Sequence, residues 1–186
     1  MGTRHLVAVK INGEYKVAQY GQWDGNPRST GRTLLECLRI LDLKKLADKC
    51  AHAKWISEEK KSKIFKKCGG YGPDYGLFSH AKSEYLKSLH PHLHRDMASQ
   101  ILYIIAKANR GIELENMIEF AKDYVFCEWC YVIDFDKETF EVYTGEKMPR
   151  RKKDRFPGTQ KWLASFDLYK LPNVSTFYRN LGVNAK

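Results

Sequence analysis

"HLVAVKINGEYKVAQY", residues 5–20, decides how the fold is read. Two short strands flank Asn12-Gly13, and both of those residues tolerate the positive φ that a two-residue type I′ turn requires. The stretch is therefore an antiparallel hairpin. With Asn12 and Gly13 as the loop, Ile11 faces Glu14, and counting back sets His5 opposite Tyr20 and Thr3 opposite Gln22. The side-chain period of two then gathers Thr3, His5, Tyr20 and Gln22 on one face.

Directly after the hairpin comes "QYGQWDGNPRSTG", residues 19–31, which crowds rings, amides, a carboxylate, an arginine and glycines into one junction. Ser29 or Thr30 is the expected cap of a helix through "RTLLECLRIL", where apolar residues recur at helical spacing. A second helical stretch follows over residues 43–56. A third begins at Ser57, over Glu58 and Glu59, and ends at Gly69 and Gly70, leaving "GGYGPDYGLFSH" as a loop. "HPHLHRDMASQILYIIAKANRG" reads as a histidine-rich turn and an apolar helix closed by Gly111, and "ELENMIEFAKDY" as one more short helix. "YVFCEWCYVIDFDKETFEVYTG" reads as a long strand, a turn at residues 136–139 and a returning strand. Apolar residues on both of its faces make the first of these central to a sheet. A basic arm broken by Pro149 and Pro157 occupies about 146–162, and "STFYRNLG" is a final helix with Ser175 as its cap. The expectation is one α+β domain over residues 1–186, with a largely antiparallel sheet, an amino-terminal hairpin and covering helices.

The charge is lopsided, with 32 Lys and Arg against 22 Asp and Glu. Such an excess favours a polyanionic partner, because a basic surface gains from releasing the cations condensed on phosphates. No apolar run is long enough to span a bilayer and no secretory leader opens the chain, so a cytoplasmic protein with no membrane partner is expected. Position 6 is Leu6, which removes a myristoylation reading of the first residues. Five scattered cysteines point to reduced thiols rather than a disulfide framework. Cys127 and Cys130, at i and i+3 of a strand, point to opposite faces and read as core.

Three clusters carry candidate chemistry. On the hairpin face His5 is the expected general base toward a ribose 2′-hydroxyl, beside Thr3, Tyr20 and Gln22, with Asp24 and Arg28 brought over the spot by the loop. Arg4, Arg28 and Arg32 supply positive charge for a developing phosphorane. The bland reading is a packing pair at a sheet end. The second cluster is Arg95 and Asp96 in "HRDMAS", where the alternative is a helix cap with its ion pair. With it goes Glu128, a carboxylate in a strand read as central, which must be paired or have its pKa raised, the alternative being a structural salt bridge to a core arginine. The third is charge alone. Arg150, Arg151, Lys152 and Lys153, and the lysines from Lys60 to Lys67, form a phosphate-tracking surface if Trp55, Tyr71, Tyr75 and Phe156 add stacking rings, and otherwise a solvated one. His90, His92 and His94 alternate, yet no cysteine or acid stands at a familiar zinc spacing beside them, so no cofactor is assigned, and a divalent metal between carboxylates stays open.

"MGTRHLVAV", "VAQYGQWDG", "HRD" before the apolar helix and "FCEWCYVIDFDKETFEVYTG" together resemble a family of phage and prophage proteins, over most of residues 1–145. With the basic balance added, the chain is similar to the streptococcal-phage type of anti-CRISPR protein. That resemblance implies a ribonuclease-type activity that shortens the guide RNA of a type II CRISPR nuclease in the bacterial cytoplasm, with the amino-terminal hairpin important. Partners would be the nuclease and its guide RNA. The chain departs from the family pattern at His94, where a small hydroxyl residue is usual, and at Asn26, where an aromatic is usual. Two other classes stay open: a basic binder without chemistry, and a hydrolase of N-terminal-nucleophile architecture. Against the latter, neither Met1 nor Gly2 offers a nucleophilic side chain.

Overall fold

A computed structural model describes residues 2–70 and 79–183. The loop expected at 69–80 and the rings of Tyr71 and Tyr75 therefore fall largely or wholly outside the described residues.

The hairpin is present, as β1 (His5–Ile11) and β2 (Glu14–Gly21) around Asn12 and Gly13, both at positive φ. Asp136 holds that turn, accepting from the Asn12 and Gly13 N–H groups at 2.7 and 2.8 Å. The pairing differs from expectation. Ile11 faces Glu14 and Lys10 faces Tyr15, but a bulge then skips Lys16, so Val9 faces Val17, Leu6 faces Tyr20 and His5 faces Gly21. The cause is burial. Without the bulge Lys16 would stand opposite Val9 on a covered face, whereas the extra residue turns Lys16 out to Glu14 and brings Val17 into the core. His5 and Tyr20 are consequently on opposite faces of the sheet.

The chain is α+β. A five-stranded sheet has the order β2-β1-β5-β6-β7, with β5 at Trp129–Asp134, β6 at Thr139–Gly145 and β7 at Gln160–Asp167. The β1–β5 pair is parallel and the other pairs are antiparallel, with β5 in the middle as expected. One face carries Val7, Val9, Val17, Tyr131, Ile133, Phe140 and Val142. It is covered by α1 (Arg32–Ile40), α2 (Leu43–Ala51), α5 (Ile101–Lys107) and α6 (Val174–Asn180). Their apolar residues meet the sheet at helical spacing, Leu34, Leu35 and Leu38 from α1 for instance. Phe140 and Phe177 stack there with ring centroids 5.9 Å apart, a pairing worth about 0.5–1.5 kcal/mol beyond area burial. The other face carries Leu6, Ala8, Cys130, Val132 and Tyr143, under a 3₁₀ segment at Ile118–Lys122 and Phe156 of the arm. A satellite cluster of Phe65, Cys68, Leu86 and Leu93 joins α3 (Glu58–Lys67) to α4 (His80–Leu89). A two-stranded sheet pairs β3 (Lys54–Trp55) with β4 (Glu113–Leu114).

Several element ends differ from the sequence reading. Asn26, not Ser29 or Thr30, caps the entry to α1 by accepting from the Arg28 and Ser29 N–H groups, and a π-helical turn at Pro27–Gly31 precedes the helix. Asn173, not Ser175, caps α6. Residues 113–124 form β4 and the 3₁₀ segment rather than an α-helix. The strand read from Tyr124 begins only at Trp129. Cys127 thus precedes it and packs in the same cluster as Cys130, not on the opposite face. All five cysteines are buried free thiols. The arm ends earlier than expected, because Gln160, Lys161 and Trp162 belong to β7.

Candidate functional site

The expected hairpin-face site divides in two. His5 is 2% exposed and sealed by the glycines that follow it. A Cβ at Gly21 would lie 2.1 Å from His5 Cε1, and one at Gly25 would lie 2.7 Å from His5 Cβ. The glycines of residues 19–31 thus make room for an imidazole. Asp24 sits at φ 56° with its carbonyl accepting from the Thr30 hydroxyl at 2.8 Å, and the Tyr131 hydroxyl donates to the Gly25 carbonyl at 2.7 Å. Thr30 Oγ1 is also 3.4 Å from His5 Nε2. Burial lowers the His5 pKa to about 4, with the Thr3 backbone offsetting part of the shift. Thr3 turns its carbonyl to the Gly25 N–H at 2.9 Å. This is a locked structural corner with a neutral, enclosed histidine. Asp24 and Arg28 are exposed, and Arg32 pairs with Glu36 at 2.7 Å, toward the helical face rather than over Tyr20.

Tyr20 and Gln22 face the other way, where the second cluster meets them. The Tyr20 hydroxyl donates to Gln22 Oε1, and its ring meets the edge of Phe120 at 4.9 Å. The Gln22 N–H donates to the Arg95 carbonyl at 3.2 Å, which ties the "HRD" segment to the end of β2. Burial raises the Tyr20 pKa. The charges of Arg4 and Arg95 pull it back and that of Asp96 adds to the rise, so all three lie within electrostatic reach of one hydroxyl. Tyr20 is therefore protonated at neutral pH. Glu128 is exposed rather than buried in a central strand, since it precedes β5, and its Oε1 accepts from the Arg4 N–H at 3.1 Å. The Glu128 N–H in turn donates to the Arg4 carbonyl at 3.1 Å.

Asp96 does not cap the 3₁₀ segment Arg95–Gln100. Buried His94 does so, its Nδ1 accepting from the Asp96 N–H at 3.2 Å while its Nε2 meets Ser83 Oγ at 2.8 Å. The Asp96 carboxylate is left partly exposed, 3.9 Å from Arg95 Nε. His90 and His92 meet ring to ring at 5.8 Å, and among the described residues no group of three or more His, Cys, Asp or Glu is arranged to hold a metal.

Two exposed rings were left unassigned by the sequence reading. Trp23 is 49% exposed and lies so close over Gly2 that a Cβ there would be 2.4 Å from its Cε3. Phe126 is 50% exposed with the Arg4 guanidinium 4.6 Å above its centroid. Trp23 was in view within "QWDG", while Phe126 was hidden inside what read as a continuous strand. Arg150, Arg151, Lys152 and Lys153 are exposed on the arm.

No known family model, characterised protein or solved structure matches the chain. No helix among the described residues is long and apolar enough to cross a membrane.

Proposed function

We propose that the protein is an RNA-directed inhibitor of a type II CRISPR nuclease that cleaves the guide RNA, with its chemistry on the Tyr20 face. The single observation carrying this reading is that Gln22 joins the Tyr20 hydroxyl to the Arg95–Asp96 segment, on the side where Arg4 lies over exposed Phe126 within electrostatic reach of that hydroxyl. Arginines and a neutral donor suit a phosphodiester, and an exposed ring suits an unstacked base, as single-stranded RNA requires. The choice of guide RNA as the target rests on the sequence resemblance.

In this reading Arg4 and Arg95 hold the non-bridging phosphate oxygens, and Tyr20 turns its one hydroxyl proton from Gln22 Oε1 to them as a third hydrogen bond. Asp96 or Glu128 takes the 2′-hydroxyl proton, the 2′-oxygen bonds to phosphorus, the bond to the 5′-oxygen breaks, and that oxygen is protonated by water. The stabilising charges are in place before the phosphorane forms, the condition under which such donors accelerate most. His5 keeps the β2 end in position and takes no proton.

The test is incubation with the RNA-loaded nuclease, with and without a chelator, followed by a denaturing RNA gel. Shortened guide RNA supports the reading, and a chelator effect would turn the two carboxylates toward metal binding. Inhibition with intact RNA would instead favour a binder without chemistry.

A further inference from the structure

At the opposite end of the same sheet face lies a cleft of about 820 Å³ between the tip of the β1–β2 hairpin and the arm. Lys10, Lys137, Arg151, Lys153 and Lys161 line it, with Trp162, 57% exposed, at its rim. We propose that this cleft is a second RNA subsite, one that grips the backbone of a single strand whose scissile phosphate sits at Tyr20. The proposal rests on the functional reading above and adds to it where the rest of the substrate runs.

Three features separate this cleft from ordinary solvated charge. Its wall is fixed: Arg155 crosses from the arm to the sheet, donating to Glu141 at 2.7 and 2.9 Å and to Asp134, with the Tyr143 and Tyr15 hydroxyls at 3.3 and 3.4 Å. Arg155 holds the Asp134 and Glu141 carboxylates and Lys161 pairs with Glu146 at 3.0 Å, yet the cleft lining stays basic, with Lys10, Lys137, Arg151, Lys153, Arg155 and Lys161 against Glu141 and Asp154. Second, an exposed indole stands beside the cations, the pairing that a base next to its phosphate calls for. Third, Lys10 and Arg4 are even-numbered positions on or beside one strand and so share a face, about 20 Å apart at the usual rise. A strand of RNA passing over the 3₁₀ segment Ile118–Lys122 that covers the middle of that face would meet both ends.

The experiment uses Tyr20→Phe protein, to suppress cleavage, and fluorescence anisotropy with a 20-nucleotide unstructured RNA across a salt series. Replacing Lys137, Arg151 and Lys153 together by Gln is expected to weaken binding at least tenfold and to flatten the salt slope by about 2, as three lost phosphate contacts on a single strand imply. Trp162→Leu is expected to weaken it about tenfold. In the otherwise unaltered protein the triple replacement raises the KM for RNA shortening and leaves kcat unchanged. An unchanged affinity and slope in both variants would overturn the subsite. So would equal competition by polyglutamate of the same charge, which offers no base to Trp162. Cleft-dependent RNA binding by an unaltered protein that leaves RNA intact would sink the cleavage reading and keep the subsite; cleavage indifferent to the cleft variants would do the reverse.

Discussion

His5 illustrates how a residue's type and its setting part company. Its ordinary pKa, near 6.5, suits a general base, but burial lowers it to about 4 and two glycines close over the ring. The consequence is a pH-dependent fold. The unfolded chain binds a proton at His5 near pH 6.5 and the folded chain does so only near 4, so stability is fully present above 6.5 and falls as pH drops through that window. Up to about 3 kcal/mol is lost on this account, and His92, lowered by burial to about 4 as well, acts in the same direction. Thermal melts from pH 7 to 4 are expected to show the decline, with His5→Gln less stable at pH 7 and its pH curve flatter. Gly21→Ala places a Cβ 2.1 Å from the imidazole and is expected to cost about 1–3 kcal/mol in chemical denaturation.

At the scale of elements, the arm is held to the sheet by Arg155, which meets Asp134 and Glu141, both nearly inaccessible. Burial alone would raise both carboxyl pKa values, but the guanidinium, helped by the Lys137 N–H at Asp134 and the Tyr143 and Thr139 hydroxyls at Glu141, more than compensates and holds them below their usual range. Arg155→Met leaves two buried carboxylates without their counter-charge and is expected to cost about 3–5 kcal/mol in urea denaturation. Adding Asp134→Asn and Glu141→Gln is expected to recover most of that loss. The same elements mark what the sequence revealed. Asn12-Gly13 announced the hairpin and the apolar run announced β5, because turn chemistry and two-sided burial are written locally. The bulge at Lys16 was not legible, since its cause is the helical layer that covers Val9 and Val17. Strand β7 was obscured by the basic arm that runs into it, although Ala164, Phe166 and Leu168 do alternate with polar residues. Tyr20, Gln22, Arg95, Asp96 and Glu128 were each visible as candidates. Their division from His5 was not, because a one-residue register shift decides which face each side chain takes.

For the whole molecule, the sheet is covered by helices on one face and bears, at the two ends of the other, the Tyr20 patch and the cationic cleft. RNA spanning both would displace condensed cations along its length. Affinity for single-stranded RNA is therefore expected to fall steeply with salt, with a log–log slope of about −3.5 to −5 if roughly five to seven phosphates are engaged. A flat salt response would leave the net charge of +10 without this role.

The central claim is that the chemistry belongs to the Tyr20 face and not to His5, and single-turnover shortening of nuclease-bound guide RNA tests it most directly. Tyr20→Phe and Arg4→Ala are expected to slow the rate constant about 100- to 1,000-fold while the complex still forms, and His5→Gln, assayed at a temperature where it remains folded, is expected to keep it within severalfold of the unaltered protein. The opposite pattern, with folded His5→Gln inert and Tyr20→Phe fully active, would contradict it.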